Sequence, residues 1–185
     1  MIRRVSKRLR EQRGYTLVEL ITAMGILGIV MSSLVVVMAS ATRAELEMNN
    51  QFQAQTQART ALERFRREGH AACKASPTGA TGSITLTYIT SGSCPETGGN
   101  QVTWCTVAVT SGRYGLHRSA GTSCNGTNAK IADYLTVGDA FDYQTTVAQR
   151  AKIAITLSVD TDLRDARAYL LSDHVVLRNS KRPAA

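Results

Sequence analysis

A single carboxylate stands at the edge of a long uncharged segment near the N-terminus. Glu19 is the only charged residue between Arg13 and Arg43, and the 22 residues from Leu20 to Ala41 carry no charge. A charge at the centre of a membrane helix costs about 2.5–3.5 kcal/mol on insertion scales, and less near an end. We therefore expect Glu19 to need a cationic partner; the alternative is that its carboxylate only reaches the headgroup region.

Four cysteines follow the apolar segment, and none of them forms a C-x-x-C pair. Cys73, Cys94, Cys105 and Cys124 are separated by 21, 11 and 19 residues, which fits no common zinc pattern. Two disulfides are expected if this part lies outside the cytoplasm, and four reduced thiols are the alternative. Of the three possible pairings, we expect Cys105–Cys124, because a hairpin after the strand that contains Cys105 could bring the loop that contains Cys124 back beside it. Cys73, just after the helix, would then pair with Cys94.

The remaining reactive side chains do not form a recognisable catalytic or metal site. Three histidines lack ligand spacing, which favours surface or strand positions: His70, His117 and His174. The segment DTDLRD (Asp160, Asp162, Asp165) lacks the glycine and the closing glutamate of a calcium loop, so a solvated turn is expected. No phosphate-loop, zinc-protease or serine-hydrolase motif occurs, and Asn125-Gly126-Thr127 is one weak glycosylation sequon. We expect no enzyme, no cofactor and no metal.

The positive charge is concentrated at the N-terminus. The chain has a net charge of +8, and its first 14 residues hold six Lys/Arg and one Glu. The rest carries 16 basic and 13 acidic residues, which weakens a nucleic-acid interpretation based on pI. A basic tip before an apolar segment fits the positive-inside rule, with the tip in the cytoplasm.

The apolar segment and the sequence after it predict one long helix. As a helix, Leu20 to Ala41 would span about 33 Å, enough for a bilayer core of about 30 Å and longer than a secretory signal. The following Ala/Gln/Glu/Arg-rich stretch has no proline, so we expect a helix from about Thr16 to Glu68, ending at Gly69. Its outer half is amphipathic, and the apolar stripe needs a surface to pack on. The stripe comprises Met48, Phe52, Ala58, Leu62 and Phe65.

The sequence after the helix predicts strands. SITLTYIT alternates, QVTWCTVAVT should form a hairpin with RYGLHR through Ser111-Gly112, and KIAITLSVD shows the clearest alternation. FDYQTTV and ARAYLLSDHVVLR are further candidates. We expect an α+β chain with an antiparallel sheet of four to six strands packed on the helix. The expected segments are a leader (1–14), a membrane and assembly helix (15–42), an amphipathic helix half (43–69), a sheet head (70–178) and a loose tail (179–185).

The stretch RGYTLVELITAMGILGIV resembles the N-terminal signature of type IV prepilins and pseudopilins. In that family a basic leader ends in glycine and precedes an aromatic residue, Thr, Leu, an aliphatic residue, Glu and an apolar helix. Gly14, Tyr15, Thr16 and Glu19 fall on these places in order, and Tyr15 replaces the commoner Phe. The resemblance is firm over residues 7–45. The Q-A-R-x-A-L-E-R run and the late VVLRN are similar to J-type pseudopilins and W-type minor pilins.

The resemblance implies a sequence of events and a set of partners. A prepilin peptidase would cut after Gly14 on the cytoplasmic side and methylate the new amino group of Tyr15. An ATPase-driven membrane platform would then lift the subunit out of the bilayer into a filament with other pilin subunits. The head would lie outside the cytoplasmic membrane, held by a single-pass helix. The freed amine is the cation expected for Glu19, in the same subunit or in a neighbour.

We therefore expect a minor pilin or pseudopilin of a type IV pilus, a type II secretion system or a DNA-uptake system. The alternative is a tip subunit that binds DNA or a surface. That alternative needs an exposed basic or aromatic patch, and the sequence offers only Arg113, Arg118 and Lys130 near the hairpin. DNA is thus a possible but unsupported partner.

Overall fold

The computed structural model describes residues 15–77, 82–95, 98–144, 150–162 and 168–180. The chain forms two compact units, Met1–Leu46 and Glu47–Ala185. The leader expected at residues 1–14, Gly14 included, lies outside the described residues.

One long helix, α1, runs from Leu17 to Ala71. It lacks proline and is rich in good helix formers after the apolar segment, which explains its length. In the first unit every described residue is exposed. The observed helix starts one residue after the expected start and ends three residues after the expected end.

The second half of α1 is the part that packs on the sheet. Its buried residues recur at helical spacing and are Ala54, Ala58, Ala61, Leu62, Phe65 and Gly69. Ala58, Leu62 and Phe65 of the expected stripe are therefore in the core. Met48 and Phe52 are not: they are 70% and 69% exposed, so the head leaves the beginning of the stripe uncovered.

The expectation that Gly69 ends the helix is wrong, because Gly69 has a packing role instead. It is buried within α1, and a Cβ at this position would lie 2.6 Å from Val175 Cγ1. The helix continues to Ala71, whose carbonyl oxygen accepts a hydrogen bond from Asn179 Nδ2 at 3.0 Å. This contact supplies a partner for one of the terminal carbonyls that a helix leaves unpaired.

The described residues contain eight strands rather than the expected four to six. They are β1 (Ala72–Pro77), β2 (Ser83–Tyr88), β3 (Gln101–Thr110), β4 (Arg113–Ala120), β5 (Ala129–Leu135), β6 (Phe141–Gln144), β7 (Lys152–Val159) and β8 (Tyr169–Val176). All pairings are antiparallel, in the order β1-β2-β3-β4-β5-β7-β6, and β8 also pairs with β7. The α+β fold class is confirmed, and its layout fits a type IV pilin-like fold.

The two strands that the sequence did not predict, β1 and β5, lack a clear pattern. β1 begins directly after α1, and its sequence ACKASP contains no run of β-forming residues. β5 follows a Gly/Asn-rich loop, its pairing with β4 is irregular, and Tyr134 within it has a positive φ of 62°. The predicted β3–β4 hairpin is present, and Gly112 supplies the left-handed backbone at its turn (φ 76°).

The sheet is covered on both faces in the region of β3. Trp104 points to the helix side and meets Phe65 edge-on, with ring centroids 5.6 Å apart. Thr103 alternates to the other face, where its hydroxyl donates to the Gly121 carbonyl at 2.6 Å. Cys105 lies on the same face, so the loop after β4 packs against this side of the sheet.

Candidate functional site

The start of α1 is a reciprocal cap formed by Thr16 and Glu19. The backbone N–H of Thr16 donates to Glu19 Oε2 at 3.0 Å, and the Thr16 hydroxyl donates to the same oxygen at 3.2 Å. The backbone N–H of Glu19 is in turn 3.3 Å from Thr16 Oγ1. This is the arrangement of a capping box, in which residues N-cap and N3 satisfy each other's backbone N–H groups. The T-x-x-E spacing signals such a cap, and the sequence interpretation, which treated Glu19 only as a charge, missed it.

The apolar half of α1 satisfies its own hydroxyl groups. Each serine and threonine from residue 17 to residue 42 donates to a backbone carbonyl three or four residues earlier, at 2.8–3.0 Å. They are Thr22, Ser32, Ser33, Ser40 and Thr42. In lipid no water is present to pair with such groups, so internal pairing lowers the cost of insertion. The helix is long and apolar enough to cross a bilayer.

Tyr15 is the first described residue and has 86% of its surface exposed. It immediately precedes the Thr16 cap, so an amine generated at residue 15 would lie four residues, about one helical turn, before Glu19. Oxygen Oε2 of Glu19 already accepts two hydrogen bonds, whereas no donor among the described residues pairs with Oε1. One carboxylate oxygen thus remains available for a further donor.

Two disulfides tie loops to the sheet. Cys73 is bonded to Cys94 with Cα atoms 5.9 Å apart, and Cys105 to Cys124 with Cα atoms 6.0 Å apart. These are the two pairs that we expect from the sequence. Each bridge closes a loop of about 20 residues and is expected to stabilise the head by about 2–4 kcal/mol.

A partly buried polar cluster that the sequence did not reveal joins α1 to β3 and β4. We call it the Glu68 cluster: Glu68, Arg64, Trp104 and Arg118. Glu68 accepts from Trp104 Nε1 at 2.8 Å, from Arg118 Nε at 2.9 Å and from Arg64 Nε at 3.2 Å. Trp104 is fully buried, so its indole N–H depends on this one carboxylate. Only the Arg64–Glu68 spacing of four residues was visible in the sequence.

Two titratable groups beside α1 are perturbed by their surroundings. Burial and the nearby Glu68 charge raise the pKa of Tyr88 to about 12, against the opposing effect of Arg118 and Arg64. Burial alone would raise the pKa of Asp173, but hydrogen bonding to Arg66 and to the His174 backbone outweighs it and lowers that pKa. Arg66 and Asp173 form an ion pair at 2.6 Å, which connects α1 to β8.

The three basic residues considered for DNA binding are engaged within the head. Arg118 pairs with Glu68, and Lys130 pairs with Asp133. Arg113 donates to the Thr161 carbonyl and lies over the Tyr134 ring, 5.2 Å from its centroid. Two of these three cations are therefore paired with carboxylates, and the third is held by a carbonyl oxygen and an aromatic ring.

The histidines and the acidic segment lie in separate local environments. His70 contacts the Val176 carbonyl at 2.9 Å, His117 is buried and contacts the Asn128 carbonyl at 2.9 Å, and His174 is exposed. Asp160 accepts from the backbone N–H of Asp162 in a local turn, but it is buried and not solvated as expected. Asp165 lies outside the described residues. Among the described residues there is no group of three or more potential metal ligands.

An open apolar groove lies in the head, beside the part of α1 that the sheet leaves uncovered. Its volume is about 330 Å³, and it is formed by one face of the helix and by Ile131 of β5. The exposed Phe52 ring forms part of its wall, together with Gln53, Thr56, Gln57 and Thr60. The groove therefore adds to the apolar surface that the head leaves open.

Comparison with known proteins identifies a motif at the N-terminus. Residues 9–35 match the family model described as the prokaryotic N-terminal methylation motif, which is found in type IV pilins and pseudopilins. No curated protein matches the chain, and no solved structure does so either. The match spans the predicted cleavage position, the Thr16–Glu19 cap and most of the apolar half of α1.

The motif and the helix have consistent implications. They support a type IV pilin- or pseudopilin-like protein that is processed by a prepilin peptidase, and they point to a structural subunit rather than to an enzyme. The apolar helix and the motif fit a single-pass anchor in the inner membrane that precedes assembly with other pilin subunits. The chain therefore carries the N-terminal methylation motif of type IV pilins and pseudopilins, ahead of an α+β head of pilin-like layout.

Proposed function

We propose that this protein is a minor pilin or pseudopilin, a subunit of a type IV pilus or of a secretion or DNA-uptake pseudopilus. Prepilin peptidase cuts after Gly14, and the amino group of Tyr15 is then methylated. The leader faces the cytoplasm and the head faces the other side of the membrane. A membrane assembly platform transfers the mature subunit from the bilayer to the filament.

The observation that carries this proposal is the position of the methylation motif on the structure. Residues 9–35 include the end of the basic leader and the capped start of α1. The side chains of the apolar half of α1 are exposed throughout. An exposed apolar helix is unstable in water and needs lipid or other helices around it. A subunit that moves from a membrane to a helical filament finds both environments in turn.

Glu19 has two separable tasks in this proposal. Through Oε2 it caps its own helix with Thr16, and through Oε1 it receives the methylated amine of Tyr15, from the same subunit or from its neighbour. Two unit charges 4 Å apart attract by about 4 kcal/mol at an effective dielectric of 20, an amount that desolvation offsets in large part. The pairing therefore acts mainly on register, since a subunit one turn out of place would leave a buried charge without a partner.

Two features of the head support this proposal: its disulfides favour a location outside the cytoplasm, and its groove offers a surface for a neighbouring subunit. Both disulfides lie in the second unit, and such bonds persist in oxidising compartments. The groove beside Phe52 offers apolar area on which a neighbouring subunit could pack. The Q-A-R-x-A-L-E-R run, which suggested the J-type or W-type subgroup, places Ala58, Ala61 and Leu62 against the sheet, so packing alone already accounts for part of it.

The processing step is tested by a bulky substitution at the cleavage position. Gly14→Val should block the peptidase, because the branched side chain obstructs the scissile bond and restricts the backbone. Gly25→Val is the matched control: it makes the same change inside the motif, where an added Cβ would meet no atom within 4 Å. In the native host, intact-mass measurement should find the full precursor for Gly14→Val and the shortened chain for Gly25→Val. Normal shortening of Gly14→Val would refute the assigned cleavage site.

The two tasks of Glu19 are tested by a pair of variants. Glu19→Gln keeps an acceptor at the capping position but removes the charge, whereas Thr16→Ala removes the hydroxyl of the cap and keeps the charge. Both proteins should be cut, and Glu19→Gln should be lost from sheared filaments while Thr16→Ala is retained in reduced amount. If Glu19→Gln enters filaments as well as the wild type does, the role of the charge is refuted.

A further inference from the structure

The loop between β4 and β5 contains an Asn-Gly pair, Asn125-Gly126, which is the only one in the sequence. In such a pair the peptide nitrogen of glycine can attack the side-chain amide carbon of the preceding asparagine, because glycine has no side chain to shield that nitrogen. Asn125 is exposed and directly follows Cys124, whose disulfide ties the loop to β3. Water therefore reaches a segment that is held in one place.

The side-chain amide of Asn125 is polarised by its neighbours. Its Oδ1 accepts hydrogen bonds from the backbone N–H of Thr127 at 3.1 Å and from the Thr127 hydroxyl at 2.6 Å. Donors at a carbonyl oxygen stabilise the negative charge that develops there during nucleophilic attack. The N–H of Gly126 has no acceptor among the described residues, so its nitrogen is not held in a competing hydrogen bond.

We propose that Asn125 is a site of spontaneous deamidation in the folded head. The nitrogen of Gly126 forms a bond to Cγ of Asn125, the Cγ–Nδ2 bond breaks, and Nδ2 leaves as ammonia with the proton from the Gly126 N–H. Water then opens the resulting succinimide at either carbonyl and leaves aspartate or isoaspartate at position 125. Water is the only co-reactant, and no electron is transferred.

The two products differ in their effect on the loop. Aspartate retains a side-chain oxygen that can accept from Thr127, and it adds one negative charge to the surface. Isoaspartate places the side-chain methylene in the backbone, which lengthens the turn that Asn128 N closes on the Asn125 carbonyl at 3.2 Å. The head surface next to the Cys105–Cys124 bond therefore changes with the age of the molecule.

Asn125, Gly126 and Thr127 also form a glycosylation sequon, so glycosylation of the Asn125 side-chain amide would compete with its deamidation. A glycan on Nδ2 would remove the leaving group and prevent the reaction. Peptide mass spectrometry of protein from the native host separates the two fates, since deamidation replaces an amide by an acid and glycosylation adds a sugar. A glycan at Asn125 in that material would overturn the proposal.

The reaction is tested by incubating the full chain in detergent at mildly alkaline pH and measuring deamidation of each asparagine by peptide mass spectrometry. Asn128 is an internal control, because it lies in the same loop but precedes Ala129. Asn125 should react faster than Asn128. Equal rates at the two positions would overturn the proposal.

Two variants separate the nucleophile from the polarising groups. Gly126→Ala should reduce the rate at Asn125 to that of the other asparagines, and the fold should tolerate it because a Cβ there meets Val107 Cγ1 at an ordinary 3.5 Å. Thr127→Val removes one hydroxyl donor and should slow the reaction about fivefold, the effect of one hydrogen bond. An unchanged rate in Gly126→Ala would overturn the mechanism, and an unchanged rate in Thr127→Val would overturn the role of the hydroxyl.

Discussion

Replacing Glu68 by alanine should destabilise the head more than the same replacement of an exposed glutamate on α1. The variant leaves the indole N–H of the fully buried Trp104 without its acceptor, which costs about 1–3 kcal/mol. It also removes the counter-charge of Arg118, whose side chain is only 23% exposed, and a charge-assisted hydrogen bond contributes about 1.5–3 kcal/mol. The Arg64 pair is more exposed and adds only about 0.3–0.5 kcal/mol.

The sum is expected near the lower end of the range of about 3–5 kcal/mol known for broken buried ion pairs. The reason is an open groove of about 440 Å³ beside Glu68 and Arg118, through which water can solvate the arginine once the carboxylate is gone. A loss of about 3 kcal/mol corresponds to a drop in Tm of about 6–12 °C for a chain of this size.

The assay is urea unfolding of the full chain in detergent micelles, followed by the fluorescence of Trp104, the single tryptophan. Glu63→Ala is the matched control, because Glu63 lies on the same helix, is exposed and forms no salt bridge within the described residues. The control should stay within about 0.5 kcal/mol of the wild type. If Glu68→Ala unfolds at the same urea concentration as Glu63→Ala, the Glu68 cluster does not hold α1 to the sheet.

Three further predictions concern the head. The folded-state pKa of Tyr88 is raised from 10.0 to about 12, so its contribution to stability is complete below pH 10 and is lost as the pH rises toward 12. The wild type should therefore lose more unfolding free energy between pH 10 and pH 12 than Tyr88→Phe does. Equal losses in the two proteins would contradict the raised pKa of Tyr88. Gly69→Ala should lower the free energy of unfolding by about 1–3 kcal/mol through overpacking against Val175, and Val175→Ala in the same chain should recover part of that loss, which a double-mutant cycle measures. Replacing Cys105 and Cys124 together by serine should cost about 2–4 kcal/mol in the same urea assay, and a loss smaller than about 1 kcal/mol would show that the bridge is dispensable.

The local sequence signals predicted the long helix and the most regular strands. An uninterrupted run of good helix formers extended α1 well beyond the apolar segment, and the alternation of Ile153, Ile155, Leu157 and Val159 identified β7, where all four are buried. The hairpin turn was visible because Ser111-Gly112 separates two β-forming stretches.

Features that depend on tertiary contacts were not visible in the sequence. Glu68 meets Trp104 and Arg118 across 36 and 50 residues of sequence, and no local pattern encodes that meeting. Gly69 looked like a helix stop because glycine is common there, but its reason is the close approach of Val175 in β8. The exposure of Phe52 was also unexpected, since an apolar stripe indicates that a surface covers it and not which molecule provides that surface.

The most direct measurement is the N-terminal mass of the protein in filaments sheared from the native host. We predict a chain that begins at Tyr15 and carries a methyl group on its amino nitrogen, because assembly uses that amine as the partner of Glu19. Filament-borne protein that still contains residues 1–14 would contradict the account.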